Sequence, residues 1–195
     1  MLAAGALALA GATQAQAAGT AGVTVTNAGY SPGTLHVPYG TRVVWTVEQG
    51  THTVTDTGRL RLFSSGPRTP GSTYAYRFTD AGTFAYRSTV GPAIAGTVVV
   101  PMRLTPASGS RTTLFSVAWG STSTRPGYSE QVQIRPPGSA SWQSFVFGTP
   151  DRAAAMRPVD WGNRTGTYQF RAKLYRGSSP AASSGWSPVA SISVR

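Results

Sequence analysis

Few side chains in this 195-residue sequence have the chemistry to bind a metal ion or to attack a substrate. There are two histidines, His36 and His52, six carboxylates and no cysteine. Two imidazoles without a third ligand make at best a weak site for copper or zinc. The lack of cysteine also removes thiolate nucleophiles and disulfide bonds. We therefore expect no physiological metal site at these histidines and no bound cofactor.

Catalytic motifs are missing as well. None of the GxSxG, HExxH, P-loop or dinucleotide-binding patterns occurs, and no two carboxylates have a spacing that suggests acid–base catalysis. Ser88, His52 and Asp56 supply the residue types of a nucleophile, a base and an orienting acid, but no oxyanion hole accompanies them. The sequence predicts that the protein is not an enzyme.

Positive charge is the strongest compositional signal, because 17 lysines and arginines against 6 aspartates and glutamates give a net charge of +11. Residues 102–195 carry most of it, with ten arginines and Lys173 against three carboxylates. Such a field favours anionic partners, such as cell-envelope polymers or acidic polysaccharides. A genome rich in G and C gives the same charge without any ligand, so both interpretations stay open. The charges do not form a run, and no specific nucleic-acid binding is expected.

The first residues have the composition of an export signal. Residues 2–12 form an uncharged apolar run that is too short to span a bilayer, and Ala15-Gln16-Ala17 fits the pattern of a signal-peptidase site. No lysine or arginine precedes the run, so either translation starts upstream or the signal is weak. We expect a signal peptide at residues 1–17, a secreted or cell-envelope location, and no membrane span later in the chain.

Short segments rich in Thr, Val and aromatic residues, punctuated by Gly and Pro, indicate an all-β protein. Trp45 and Trp119 each lie in an alternating segment and are candidate core residues. The pattern predicts two β-sandwich domains, at residues 18–101 and 111–195. Residues 102–110 have the composition of a short linker that allows some rotation. The strand assignment of residues 149–163 stays open.

Seven short motifs follow one another in the first half of the chain. They are Tyr30-x-Pro32, Gly40-Thr41-x-Val43-x-Trp45, His52-Thr53-Val54-Thr55, Phe63-x-Ser65-Gly66, Pro70-Gly71, Gly82-Thr83-Phe84-x-Tyr86 and Gly96-Thr97-Val98-Val99-Val100. In this order they resemble the small blue copper proteins, the cupredoxins of the plastocyanin and amicyanin type. The resemblance implies a Greek-key sandwich with a copper site at one end.

The same resemblance implies that the copper site has been lost. Its histidine, cysteine, second histidine and methionine positions fall on His52, Ser88, Gly91 and Ile94. A type 1 site needs a thiolate and two imidazoles around copper. A serine hydroxyl is not ionised near neutral pH, glycine has no side chain and isoleucine has no donor atom. Val47 also replaces an asparagine that steadies the thiolate loop in the family. The loop of residues 88–95 then either fills the vacant site or docks a partner.

A second series of motifs covers residues 117–188. It consists of Val117-x-Trp119, Tyr128-x-x-Gln131-Val132-Gln133-Ile134, Gly138-x-x-x-Trp142, Thr167-Tyr168-x-Phe170-x-Ala172 and Gly185-Trp186-Ser187-Pro188. This order resembles a fibronectin type III domain, of the immunoglobulin-like class of sandwiches. The resemblance implies a spacing or binding role, and a Tyr168 hydroxyl bonded to nearby backbone.

Four basic residues are candidates for partner binding. Arg171, Lys173 and Arg176 are predicted on the polar face of one strand, and Arg135 on a neighbouring strand extends them into a basic stripe. An ordinary solvated sheet face is the alternative interpretation.

Together these patterns predict a secreted, non-catalytic binding or structural module without a copper site. Its partner is expected to be an unidentified protein or an anionic cell-envelope or polysaccharide ligand. The alternative is a copper-binding electron-transfer protein of the plastocyanin type. The general fold and His52 favour that alternative, whereas Ser88, Gly91 and Ile94 oppose it.

Overall fold

The computed structural model describes residues 19–58, 60–177 and 181–195. The predicted signal peptide, residues 1–17, lies outside them. Within the described ranges, no helix is long and apolar enough to cross a membrane.

The first domain is built from strands that pair into two four-stranded sheets. These strands are β1 Thr20–Thr26, β2 Gly29–Ser31, β3 Thr34–His36, β4 Thr41–Val47, β5 Thr55–Asp56, β6 Thr73–Phe78, β7 Gly82–Arg87 and β8 Ala95–Val100. The strand orders are β2-β1-β4-β6 and β3-β8-β7-β5. The pairs β1–β4 and β3–β8 are parallel, and the other pairs are antiparallel.

The core of the first domain forms where the alternating residues of β4 meet the aromatic residues of other segments. Trp45 is fully buried, and its ring centroid lies 5.4 Å from that of Tyr86 and 6.0 Å from that of Phe63. Successive side chains of a strand point to opposite faces, so the pattern of β4 sends Val43, Trp45 and Val47 inwards together. The prediction of Trp45 as a core residue is confirmed.

The second domain also has two sheets, of five and three strands. Its elements are β9 Arg103–Thr105, β10 Ser108–Gly109, β11 Phe115–Ala118, β12 Tyr128–Arg135, β13 Gln143–Thr149, β14 Ala153–Met156, a 3-10 helix Pro158–Trp161, β15 Gly166–Arg176 and β16 Ala190–Val194. The strand orders are β10-β16-β15-β12-β13 and β14-β11-β9. Trp119 is fully buried between the sheets, as its alternating segment predicts. The uncertain segment 149–163 contains β14 and the 3-10 helix.

The segment predicted as a linker is part of the second domain. β9 pairs with β11, β10 pairs with β16, and Met102 is buried in the second core. The Pro, Ser and Gly residues of 102–110 suggest a connector, but β9 pairs with β11, the next strand but one, and β10 pairs with β16, the last strand of the chain. Composition does not show such pairing, and the prediction of a rotating linker is therefore corrected.

Backbone hydrogen bonds hold the two domains against each other. The Thr83 amide donates to the Gly185 carbonyl at 3.0 Å, and the Gly185 amide donates to the Thr83 carbonyl at 2.9 Å. Ala81, in the turn before β7, packs in the second core, and Leu174 of β15 packs in the first. Each domain therefore inserts a side chain into the core of the other, in addition to the backbone hydrogen bonds between them.

A pair of buried carboxyl groups lies at this junction. Glu130 of β12 is fully buried, and the carboxyl group of Asp80 reaches it from the first domain. Burial and the nearby Asp80 carboxyl raise the pKa of Glu130 well above its ordinary value of 4.5. Burial also raises the pKa of Asp80, and the hydrogen bond from the Thr79 hydroxyl and the charge of Arg125 oppose that rise. Among the described residues, both Glu130 oxygens and Oδ1 of Asp80 lack a hydrogen-bond partner. A neutral Glu130 is therefore favoured at the junction, because two buried carboxylates near each other repel.

We expect Glu130→Gln to stabilise the protein at neutral and higher pH. Because folding raises the pKa of Glu130, its contribution to stability is fully present below pH 4.5 and is lost as pH rises towards the folded pKa. The variant cannot ionise, so its advantage in free energy of unfolding grows by about 1.4 kcal/mol per pH unit across that window. Thermal unfolding of both proteins from acidic to alkaline pH measures this difference.

Glu48→Gln is the matched control, since Glu48 is exposed and should show no such pH-dependent advantage. A Glu130→Gln variant that is equally destabilised at every pH would contradict a neutral Glu130 at the junction.

Candidate functional site

The end of the first domain brings together the four positions where the cupredoxin resemblance implies copper ligands. His52 lies between β4 and β5 and is only 1% exposed. Its Nε2 is 3.1 Å from the Asn27 side-chain oxygen, and therefore donates to it. Its Nδ1 is buried without a hydrogen-bond partner and lies 3.6 Å from where a Cβ of Gly91 would be. His36, in contrast, is exposed on β3, away from this end.

Ser88 closes the site with its hydroxyl group. The Ser88 Oγ accepts from the Thr53 amide at 3.0 Å and donates to the Val90 carbonyl at 2.5 Å. Thr53 follows His52 in the chain, and Val90 belongs to the loop of residues 88–95. The residue at the cysteine position therefore serves as a hydrogen-bonded tie between two loops.

Gly91 and Ile94 leave no place for the remaining two ligands. Gly91 has φ +68°, in the left-handed region, and a Cβ there would lie 2.6 Å from the Thr51 carbonyl oxygen. Ile94 is buried in the first core, and its carbonyl accepts from the Ser88 amide at 3.0 Å. Ser88 and Ile94 are buried, whereas most of the residues between them are exposed. Both sequence-based alternatives for the loop of residues 88–95 therefore stay open.

The residues at this end do not fit type 1 copper. One imidazole is present, without a thiolate, a second imidazole or a thioether. Among the described residues, no three His, Cys, Asp or Glu side chains group together as a metal site would require. Val47, which replaces the expected asparagine, is buried in the first core.

Ser88, His52 and Asp56 do not form a catalytic relay. The Ser88 hydroxyl is used by backbone groups, and the His52 Nε2 contacts Asn27. Both carboxylate oxygens of Asp56 accept from backbone amides, those of Gly58 and Leu62. None of the three side chains is held by another as a triad requires.

Comparison with protein-family models found no match, and comparison with curated proteins found none. Among solved structures, the chain is similar to a purple cupredoxin from Nitrosopumilus maritimus, with 27% identity over 41% of this chain and 98% of that one, and a TM-score of 0.39. It is also similar to an amicyanin mutant in the Cu(I) form, with 28% identity, coverage of 44% and 86%, and a TM-score of 0.40. These structures are aligned with about 40% of this chain.

A second candidate site lies on the outer face of the five-stranded sheet. Three cations alternate there with two indole rings, in the order Arg135, Trp142, Arg171, Trp186, Lys173, which we call the cation–indole ladder. Trp142 has the guanidinium carbons of Arg135 and Arg171 at 4.8 and 4.4 Å from its ring centroid. Trp186 has Arg171 at 4.2 Å and the Lys173 nitrogen at 4.8 Å. Such contacts stabilise a partly desolvated cation on an aromatic face.

Strand register places glutamines between the cations. Arg135 is opposite Gln169, and Arg171 is opposite Gln133, across the β12–β15 pair. Nε and Nη2 of Arg171 donate to the Gln133 oxygen at 2.9 and 2.7 Å, and the same two groups of Arg135 donate to Gln169. These hydrogen bonds hold the two guanidinium groups in place over the indole rings.

No carboxylate neutralises the ladder. In the part of the chain that the structure describes, Arg135, Arg171 and Lys173 form no ion pair. Burial lowers the pKa of Arg171, and the nearby Arg135 lowers it further. Burial lowers the pKa of Lys173 too, followed by the charge of Arg171. Repulsion between neighbouring cations is thus built into this face.

One of the four predicted basic residues lies elsewhere. Arg176 is an odd number of positions after the outward-facing Lys173 on β15. Because the side chains of a strand alternate between its two faces, Arg176 points to the opposite face. Its guanidinium carbon lies 6.0 Å from the Tyr128 ring, near the first domain. The prediction of Arg176 on the stripe is therefore corrected. Trp142 and Trp186 occur in the sequence motifs, but nothing in the sequence indicates that they lie between the cations.

We expect Gly91→Ala to lower the free energy of unfolding by about 1–3 kcal/mol, because its left-handed backbone and the Thr51 carbonyl leave no room for a methyl group. Urea unfolding measures the change. Gly22→Ala is the matched control, since nothing lies within 4 Å of its added methyl group. Equal stability of the two variants would mean that the loop of residues 88–95 can open without cost.

Proposed function

We propose that this protein is an exported, non-catalytic binding module that works without copper. In this proposal the cupredoxin-like domain is a scaffold, and the second domain carries the surface that meets a partner. The observation that supports it best is the closed loop of residues 88–95, in which Ser88 is tied to backbone groups and Gly91 has no room for a side chain.

We further infer that the second domain is a fibronectin type III-like sandwich. Its three-stranded sheet has the order β9-β11-β14. Its other sheet has the order β13-β12-β15-β16, with β10 added at the edge beside β16. The Tyr168 hydroxyl donates to the Arg164 carbonyl at 3.0 Å and accepts from the Arg164 amide at 3.2 Å, which is the strand-corner contact that the resemblance implies. Domains of this kind serve as spacers or binding surfaces. That role agrees with the absence of a catalytic relay at His52.

One observation favours the alternative, copper-dependent electron transfer. Nδ1 of His52 is buried, carries no hydrogen bond and faces Gly91. A single imidazole nitrogen cannot reproduce the trigonal site on which electron transfer depends. We therefore infer that this nitrogen does not bind copper in the functional protein.

Copper titration of the purified protein tests the proposal. We expect calorimetry with Cu(I) and Cu(II) to detect no stoichiometric binding that depends on His52, and absorption spectra to show no blue band. His52→Ala is the matched control, because it removes the remaining ligand and leaves the loop of residues 88–95 intact. Micromolar or tighter binding that disappears in His52→Ala would contradict the proposal and favour electron transfer.

A further inference from the structure

The cations of the cation–indole ladder lie next to one another, without negative charges in the described part of the chain to balance them. Three cations stand side by side, separated only by indole rings, with no carboxylate partner among the described residues. Elsewhere the chain places Arg125 at the domain junction, where its Nη2 donates to the Tyr76 hydroxyl at 2.8 Å. The ladder cations instead repel one another, since Arg135 acts on Arg171 and Arg171 on Lys173. An anion placed along the ladder would relieve this repulsion.

The remaining donors of the ladder define what kind of anion fits. The glutamines occupy Nε and one N–H of Nη2 in each arginine. The two N–H groups at the far end of each guanidinium, on Nη1 and Nη2, have no partner among the described residues. Two parallel N–H groups match two oxygens of a carboxylate or of a phosphate. The Lys173 ammonium adds a third donor group at the end of the row.

The form of the ladder favours a linear polymer. Its cations lie on β12 and β15 and are separated by one indole ring each, and these rings come from the residue before β13 and from the loop before β16. Binding of single-stranded nucleic acid relies on aromatic faces on which bases stack. Here each indole ring already has two cations over it, so it offers edges instead of free faces. Repeated carboxylates on a sugar chain meet the cations without needing those faces.

We propose that the cation–indole ladder binds an acidic polysaccharide that carries carboxylate groups. The inference rests on the proposed function, because it names the partner class of that binding module. Arg135, Arg171 and Lys173 each pair with an anionic group of the polymer, while Trp142, Trp186 and the glutamines hold the cations in a row. The arginine side chains already contact the glutamines and the indole rings, so little of their conformational entropy is lost on binding.

The test is calorimetric titration of the full protein with oligogalacturonate, with neutral dextran as the ligand control. We expect saturable binding to oligogalacturonate alone. Arg135→Gln combined with Arg171→Gln should weaken it about tenfold or more, which corresponds to about 1.4 kcal/mol. Arg111→Gln combined with Arg157→Gln is the matched control, because it removes two exposed charges of the same domain away from the ladder and should change affinity less than about threefold.

Lys173→Gln covers the case in which the double variant fails to fold, since the Lys173 side chain makes no hydrogen bond among the described residues. Its affinity should fall while that of Arg157→Gln should not. Equal losses in the ladder and control variants would overturn the proposal in favour of non-specific charge. The proposal would also be overturned if single-stranded DNA or polyphosphate bound the ladder more tightly than oligogalacturonate does, or if oligogalacturonate did not bind at all.

Failure of this inference is distinguishable from failure of the proposed function. Loss of polysaccharide binding would not create copper binding, and copper binding at His52 would leave the result for the ladder unchanged.

Discussion

The alternation of side chains along β15 is the constraint on which the rest of the structure depends. This strand, Gly166–Arg176, sends Tyr168, Phe170 and Ala172 into the second core and Leu174 into the first. Because every second residue is buried, Arg171 and Lys173 must lie on the outer face. One strand therefore holds the second sandwich together, contacts the neighbouring domain and presents the cations. A change in its register would disturb all three.

The two domains divide the work unequally. The first domain is a two-sheet β-structure in which hydrogen bonds of Ser88 and the tight backbone at Gly91 tie the loop of residues 88–95 to the segment around His52. The second domain carries most of the positive charge and arranges part of it in an ordered row. In our proposal the first domain is a scaffold, and backbone pairing at the junction joins it to the domain that presents the charged face.

Much of this could be predicted from the sequence, and the reasons for the rest are physical. Local alternation is sufficient to predict that Trp45 and Trp119 are buried, and motif order places His52 beside Ser88 and Gly91. The strands within residues 102–110 could not be predicted, because they are very short, their composition is that of a connector, and β10 pairs with the last strand of the chain. The ladder was only partly predictable. Its cations follow from strand periodicity, but Trp142 and Trp186 come from outside β12 and β15 and reach the face only through the tertiary fold.

A single NMR titration tests most directly that the ladder binds the partner and that His52 does not bind copper. The indole N–H signals of Trp142 and Trp186 are followed with oligogalacturonate, and the ring signals of His52 are followed with copper in the same preparation. The account predicts that the two ladder indoles shift while the buried Trp45 and Trp119 do not, and that stoichiometric copper leaves His52 unchanged. Unmoved ladder indoles together with a His52 signal lost at one equivalent of copper would contradict it.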